Sequence, residues 1–181
     1  DHADLTGADL TSAKMTEAVL NETTLDYTNL GYANLTKANL TKANLTKANL
    51  THANLNHSDA TGANLTGAHL DHATMRETQL YRSTLDHADL TGADLTSAKM
   101  TEAVLNETTL DYINLGYANL TKANLSHSNL SHANLNHSDA TGANLTGANG
   151  GDMKLTDADL SGAIWYDGHT CAAPSPYGQC G

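Results

Sequence analysis

Gly31-Tyr32-Ala33-Asn34-Leu35-Thr36-Lys37-Ala38-Asn39-Leu40-Thr41-Lys42-Ala43-Asn44-Leu45-Thr46-Lys47-Ala48-Asn49-Leu50 is the stretch whose reading decides the fold. Taking every fifth residue outward from it, from Leu5 to Leu160, gives 32 positions without a slip. Of these 26 are Leu, and the others are Met15, Met75, Met100, Ala60, Ala140 and Gly150. Two residues before each stands a small side chain, Ala at most sites and Ser or Thr at most of the rest, with Asp or Asn usually between. A period of five is neither the 3.6 of an amphipathic helix nor the 2 of a strand. A chain that turns a corner every five residues points the central Leu and the small residue inward and leaves three positions outside. Stacked coils then bury a continuous column, here represented by Leu5, Leu10, Leu35, Leu40, Leu45, Leu50, Leu120 and Leu125.

Tandem Ala-[Asp/Asn]-Leu-x-x, from residue 1 to about 165, resembles the pentapeptide-repeat family. The resemblance implies an all-β fold, a right-handed quadrilateral β-helix with four pentapeptides to a coil. The 32 units then make about eight coils, a rod roughly 38 Å long at the strand spacing of about 4.8 Å. Residues twenty apart become neighbours, so Glu22 meets Lys42, Glu17 meets Lys37, and Arg82, Glu102 and Lys122 form one column. The pairs Asn34/Asn54, Asn44/Asn64 and Asn124/Asn144 are set up for amide ladders. Ala60 and Ala140 leave the core short of side-chain volume, a loss of about 2–5 kcal/mol in a tightly packed site unless neighbours fill it. Ile113 and Met153, oversized where Ala is usual, are expected to bulge the wall. The backbone is expected to bulge or turn at Asn149-Gly150-Gly151.

Residues 1–40 recur at 86–125 with Ile113 in place of Thr28 as the only change, and Asn56 to Ala60 recurs at Asn136 to Ala140. The organisation read from this is a β-helix over 1–165, built by internal duplication (1–85 and 86–150), and a C-terminal tail over 166–181. Trp165 is expected to cap the Leu column. The tail's Trp165-x-Asp167-Gly168-x-x-Cys171 and final Gly178-x-Cys180 resemble the tails of secreted bacterial members of the family. That resemblance implies a Cys171–Cys180 disulfide and an oxidising compartment. Metal binding by the two thiols is the alternative. With no initiator Met or apolar leader, the chain reads as a mature form whose export signal has been removed, extracellular or periplasmic, or as a recombinant product.

The net charge of −11 argues against direct nucleic-acid binding and suits solubility, a basic partner or mimicry of a polyanion. No run of 18 apolar residues is present to span a membrane. Catalytic motifs are absent, and carboxylates such as Asp4, Asp9, Asp89 and Asp94 recur only because the repeat does. The ten histidines, including His52/His72 and the His132/Asp152 pair, read as exposed surface groups, so neither a metal nor a cofactor is expected. Tyr27, Tyr32, Tyr112 and Tyr117 point outward as contact aromatics. A Thr column (Thr41, Thr61, Thr101, Thr121, Thr141) suggests ice binding, but Tyr81 interrupts it. The expected function is a non-enzymatic, exported structural or scaffold protein. Its first coil, entered at once through Asp1-His2-Ala3-Asp4-Leu5, offers an open edge for head-to-tail stacking with another copy into a filament. The alternative comes from the resemblance: family members that confer quinolone resistance mimic duplex DNA and bind DNA gyrase. The expected disulfide and the absence of Phe fit that alternative less well.

Overall fold

The five-residue unit leaves five backbone N–H groups to satisfy, and each has a fixed destination. In the computed structural model, which describes residues 2–172 and 180, one unit shows the whole scheme. Leu35 N–H donates to the Asn54 carbonyl at 2.7 Å, Lys37 N–H to Asn56 at 2.9 Å, and Asn39 N–H to Ala18 at 2.9 Å on the opposite side. Ala38 N–H closes a four-residue turn on Leu35 at 2.9 Å. The fifth donor, Thr36 N–H, goes to the Asn34 side-chain Oδ1 at 3.0 Å. Parallel bridges consequently join each residue before the central position to the one twenty further on, at every fifth residue from Asp4↔Thr24 to Asn144↔Ile164. Twenty residues, four units, make one rung. The described residues contain no helix.

Each turn is completed by a corner residue in the left-handed region, as at Lys37 (φ 57°), Tyr32 (φ 59°) and Glu102 (φ 58°). Backbone of that kind disfavours β-branched side chains. From residue 2 to residue 157 the corner position holds Gly, Ser, Asp, Glu, Lys, Arg, His or Tyr, and never Thr, Val or Ile. Thr, abundant in this chain, sits one residue earlier. At some units whose wall residue is not Asn or Asp, the rung before supplies the acceptor for the turn N–H: Arg76 N–H binds Asn56 Oδ1 at 2.8 Å and Asn106 N–H binds Asp86 Oδ1 at 3.0 Å.

The Leu column is buried as its spacing demands. Leu35, Leu40, Leu45, Leu50, Leu120 and Leu125 are fully buried, whereas Leu5, Leu10 and Met15 on the first rung are only partly buried. Ile113 does not bulge the wall. It is buried, and Asn114 and Asn134 keep their ladder bonds at 2.9 Å. Only its turn bond stretches, to 3.2 Å from the 2.9–3.0 Å common at Ala, as also happens at Thr23, Thr28 and Met153. The larger side chain is absorbed by opening one turn a fraction of an ångström. Nor does the chain bulge at Gly150-Gly151, since Asn149 bridges Asn129, and His132 N–H reaches the Gly151 carbonyl at 2.7 Å.

Beside the two small core residues, Ala60 and Ala140, the hydroxyls of Ser58 and Ser138 are buried and have no hydrogen-bond partner among the described residues. For Ser58 the reason is competition. The Leu55 carbonyl already accepts from Ser58 N–H at 3.0 Å and from the Thr78 hydroxyl at 2.8 Å. By contrast, Ser83 Oγ donates to the Leu80 carbonyl at 2.8 Å.

Two stability predictions follow from this packing. Leu40→Ala costs about 2–5 kcal/mol by denaturant unfolding, and Leu5→Ala clearly less, because the first-rung site is already partly solvated. Ser58→Ala leaves stability unchanged or raises it, while Ser83→Ala lowers it by about 0.5–1.5 kcal/mol, since only the second substitution removes a made hydrogen bond.

Candidate functional site

The corner side chains project from rigid turns and stack in columns one rung apart. Opposite charges alternate along them: Lys37 Nζ lies 3.6 Å from Glu17, Lys42 Nζ 4.0 Å from Glu22, and Arg82 Nε 2.7 Å from Glu102. Elsewhere a histidine faces the carboxylate, as in His57–Glu77 at 3.4 Å, His87–Glu107 at 3.4 Å and His137–Asp157 at 3.5 Å. His132 lies between Asp111 at 3.1 Å and Asp152 at 3.7 Å. The expected amide ladder forms at Asn124/Asn144 (3.3 Å), and also at Asn29/Asn49 and Asn114/Asn134. At Asn34, Asn54, Asn44 and Asn64 the Oδ1 atoms take turn N–H groups without a ladder bond, whereas Asn29, Asn114 and Asn124 accept both.

Tyr27, Tyr32, Tyr112 and Tyr117 are about three-fifths exposed, the largest exposed apolar groups among the described residues. One face of each ring is covered by the following rung. Lys47 Nζ sits 5.5 Å above Tyr27, and His52, His132 and His137 stack on Tyr32, Tyr112 and Tyr117 at 4.4–4.9 Å. One rung before these rings the corners are Gly7, Ser12, Gly92 and Ser97, which have little or no side chain to cover the other face. His72 continues the Tyr32–His52 stack at 5.1 Å.

At the C-terminal end the chain folds back on its own last rung. Gly162 N–H donates to the Cys171 carbonyl at 3.0 Å, Cys171 N–H to Ala163 at 2.8 Å, and Trp165 N–H to His169 at 2.8 Å. Cys171 and Cys180 form a disulfide. Trp165 packs half-buried against the core, and the neighbouring Tyr166 ring lies 4.2 Å away. Tyr166 explains Gly150: a Cβ built there would run into the Tyr166 hydroxyl. The core side chain missing at Gly150 is replaced by an aromatic from the tail, which sequence reasoning did not connect. The expectations for the tail that involve residues 173–179 and 181, both prolines included, lie outside the described residues.

Among the described residues, two groups bring metal-ligating atoms within 4.8 Å of one another: His69, Asp71 and Asp89, and His169, Cys171 and Cys180. Sequence reading weighed metal binding by Cys171 and Cys180 as the alternative to a disulfide but did not connect His169 to them, and it did not single out the first group, although His69 is the one histidine in the wall column of the repeat and was visible as an exception.

Asp4, Asp9, Asp94, Glu102 and Asp159 are held below their ordinary range. For Asp4 and Asp9 the cause is the hydroxyl and then the backbone N–H of the Thr two residues on, and for Asp159 it is Ser161 in the same way. At Asp94 burial works to raise the value, but bonds from Thr96 and Arg76 outweigh it. Glu102 is lowered by its Arg82 hydrogen bond. Burial pushes the Tyr166 phenol up to about 12.

A solenoid of five-residue units, four to a rung and without helix among the described residues, defines an all-β repeat protein. The chain belongs to the pentapeptide-repeat family: the family described as Pentapeptide repeats matches it in eight copies over residues 3–41, 43–80, 75–111 and 118–149. Among solved structures it is similar to HetL, a pentapeptide repeat protein involved in heterocyst differentiation regulation from the cyanobacterium Nostoc sp. strain PCC 7120. The two are 31% identical over 93% of this chain and 87% of that one, with a TM-score of 0.58. It also resembles QnrB1, a plasmid-mediated fluoroquinolone resistance protein, in a trypsin-treated form (18% identity, 89% and 81% covered, TM-score 0.65) and at full length (18%, 91% and 85%, 0.58). At that identity the likeness is one of fold. No curated protein matches the sequence. No helix among the described residues is long and apolar enough to cross a membrane.

Two titrations test the electrostatics. Aspartates whose folded values lie below their unfolded ones stabilise the protein at neutral pH, and that contribution fades as pH falls through the folded values. The thermal midpoint should therefore drop on acidification below about pH 4, and less steeply in Asp94→Asn. Tyr166, raised on folding, stabilises below its unfolded value near pH 10, and the effect is lost as pH rises towards about 12. A late phenolate step in an ultraviolet titration should disappear in Tyr166→Phe.

Proposed function

We propose that this chain is a non-catalytic, exported structural protein whose copies stack head-to-tail into a filament. Its body is a right-handed rod of about eight coils over 1–165, produced by duplication (1–85 and 86–150), with a tail at 166–181. The observation that carries the reading is the polarity and sameness of the rung. Each unit offers the N–H groups of its central and corner residues on one side and a wall N–H on the other, as Leu35, Lys37 and Asn39 do. One side of any rung is therefore complementary to the other side of any other, a heterologous contact that does not close. Leu5, Leu10 and Met15, only partly buried, supply the apolar area. The disulfide fits an oxidising compartment.

Charge selects a register. A four-cornered rung can sit on another in four ways: two set a corner carboxylate, Asp152 or Asp157, opposite Glu17, and a third sets Glu17 opposite Asp167, which follows the last rung's corners in the fold-back. The fourth sets His2 on Asp167, Gly7 on Asp152, Ser12 on Asp157 and Glu17 on Gly162. Trp165 and the tail then cover part of the last rung and are accommodated beside the joining copy. The exposed tyrosines act as contact anchors along the rod.

A second reading rests on the net charge of −11 on an extended rod: a mimic of duplex DNA that binds gyrase.

Negative-stain images and sedimentation at rising concentration should show rods that lengthen. In Gly162→Asp, where nothing lies within 4 Å of an added Cβ, they should stay short, because a carboxylate then faces Glu17 in the fourth register too. Short monodisperse rods of the parent protein at all concentrations would end the filament reading. Inhibition or protection of gyrase in a supercoiling assay would favour the second.

A further inference from the structure

Asp167, His169, Cys171 and Cys180 form a chain of contacts that a merely structural disulfide does not require. His169 Nε2 lies 3.1 Å from Cys180 Sγ. Its Nδ1 is held by Asp167 Oδ1, which also accepts the His169 backbone N–H at 3.2 Å. With Nδ1–H directed at the carboxylate, the lone pair of Nε2 points at the sulfurs, and the Nε2 and both Sγ atoms lie within 4.8 Å of one another. A carboxylate on the far nitrogen of an imidazole is the arrangement that orients histidine zinc ligands.

We propose that the tail is a redox-gated zinc site, in which the Cys171–Cys180 disulfide and a zinc ion held by Cys171, Cys180 and His169 are alternative states. A dithiol reductant supplies two electrons and two protons, is itself oxidised to a disulfide, and converts the Cys171–Cys180 bond to two thiols. Zinc then displaces both thiol protons to solvent, and two Zn–S bonds and one Zn–N bond form, with a fourth position for water. Two of the three ligands are anchored without the disulfide. Cys171 is buried and tied to the last rung through Ala163 and Gly162, and the carbonyl of His169 accepts the Trp165 N–H. Only Cys180 arrives from further along the chain, and it need only remain near its present place. In an oxidising compartment the disulfide excludes the ion. Where thiols stay reduced, the ion closes the same loop.

The test uses the full chain, oxidised or reduced with a phosphine that does not bind the metal, titrated anaerobically with cobalt(II) and then zinc. The surface histidines are present in both redox states, so only the difference counts. The reduced chain should take up one additional cobalt ion with a thiolate-to-metal charge-transfer band that zinc abolishes, and the oxidised chain should show no such band. Asp167→Asn should weaken zinc binding about 10–100-fold. His169→Ala should weaken it at least as much, and His169→Cys, which supplies a third thiolate, should restore it, with the thermal midpoint of the repeat body unchanged in each. Equal uptake by both redox states, absence of the thiolate band, or full affinity in His169→Ala would overturn the proposal.

Discussion

The rest of this structure depends on the hydrogen bond from each central N–H to the carbonyl nineteen residues on, such as Leu35 to Asn54 at 2.7 Å. It forces the rung to be twenty residues long, and so it aligns every Leu with the Leu of the next rung. A single central Leu per unit cannot offset the ordering of five residues, because burying it contributes about 1.5–3 kcal/mol against about 1–2 kcal/mol of backbone entropy for each residue. The backbone bonds must therefore be made without loss. The side chain of Asn or Asp before each Leu completes the set by taking the N–H that the ladder leaves over.

That requirement explains which parts of the sequence vary. Where the wall position abandons Asn or Asp, the rung before can supply the acceptor, as Asn136 Oδ1 does for Thr156 N–H when the wall residue is Lys154. The corner can hold any side chain that tolerates a left-handed backbone, and so it carries almost all of the chain's charge alternation and its aromatic stacking. Pairs such as Arg82–Glu102 lie at the surface, where an ion pair contributes about 0–1 kcal/mol. They fix register more than they add stability.

The burial of the Leu column was legible from the period alone, and the contacts of Glu17 with Lys37 and Glu22 with Lys42 were legible once the family resemblance set four units to a coil. The adjustments were not. Ile113 gave no sign that a turn bond could lengthen by a few tenths of an ångström and spare the ladder. Gly150 was recognisable as a missing core side chain, but its partner Tyr166 lies sixteen residues away in a segment without the repeat, where no period specifies who fills the gap. The approach of His169 to Cys180 was hidden for the same reason. Outside the repeat, contacts depend on a fold-back that local spacing does not encode.

The duplication offset argues about where recognition can sit. Eighty-five residues are four rungs and one further unit, so the copied decoration reappears about 19 Å along the axis and one corner around. Tyr27 and Tyr32 occupy two adjacent corner columns, while Tyr112 and Tyr117 occupy the second of these and the next. Tyr32, His52 and His72 therefore share a column with Tyr112 and His132, broken only by Gly92, and the aromatic groups trace a diagonal stripe. A single ligand pocket duplicated this way would be split between two faces. A partner that lies along the rod meets the same chemistry twice, which is the geometry a lengthwise contact uses.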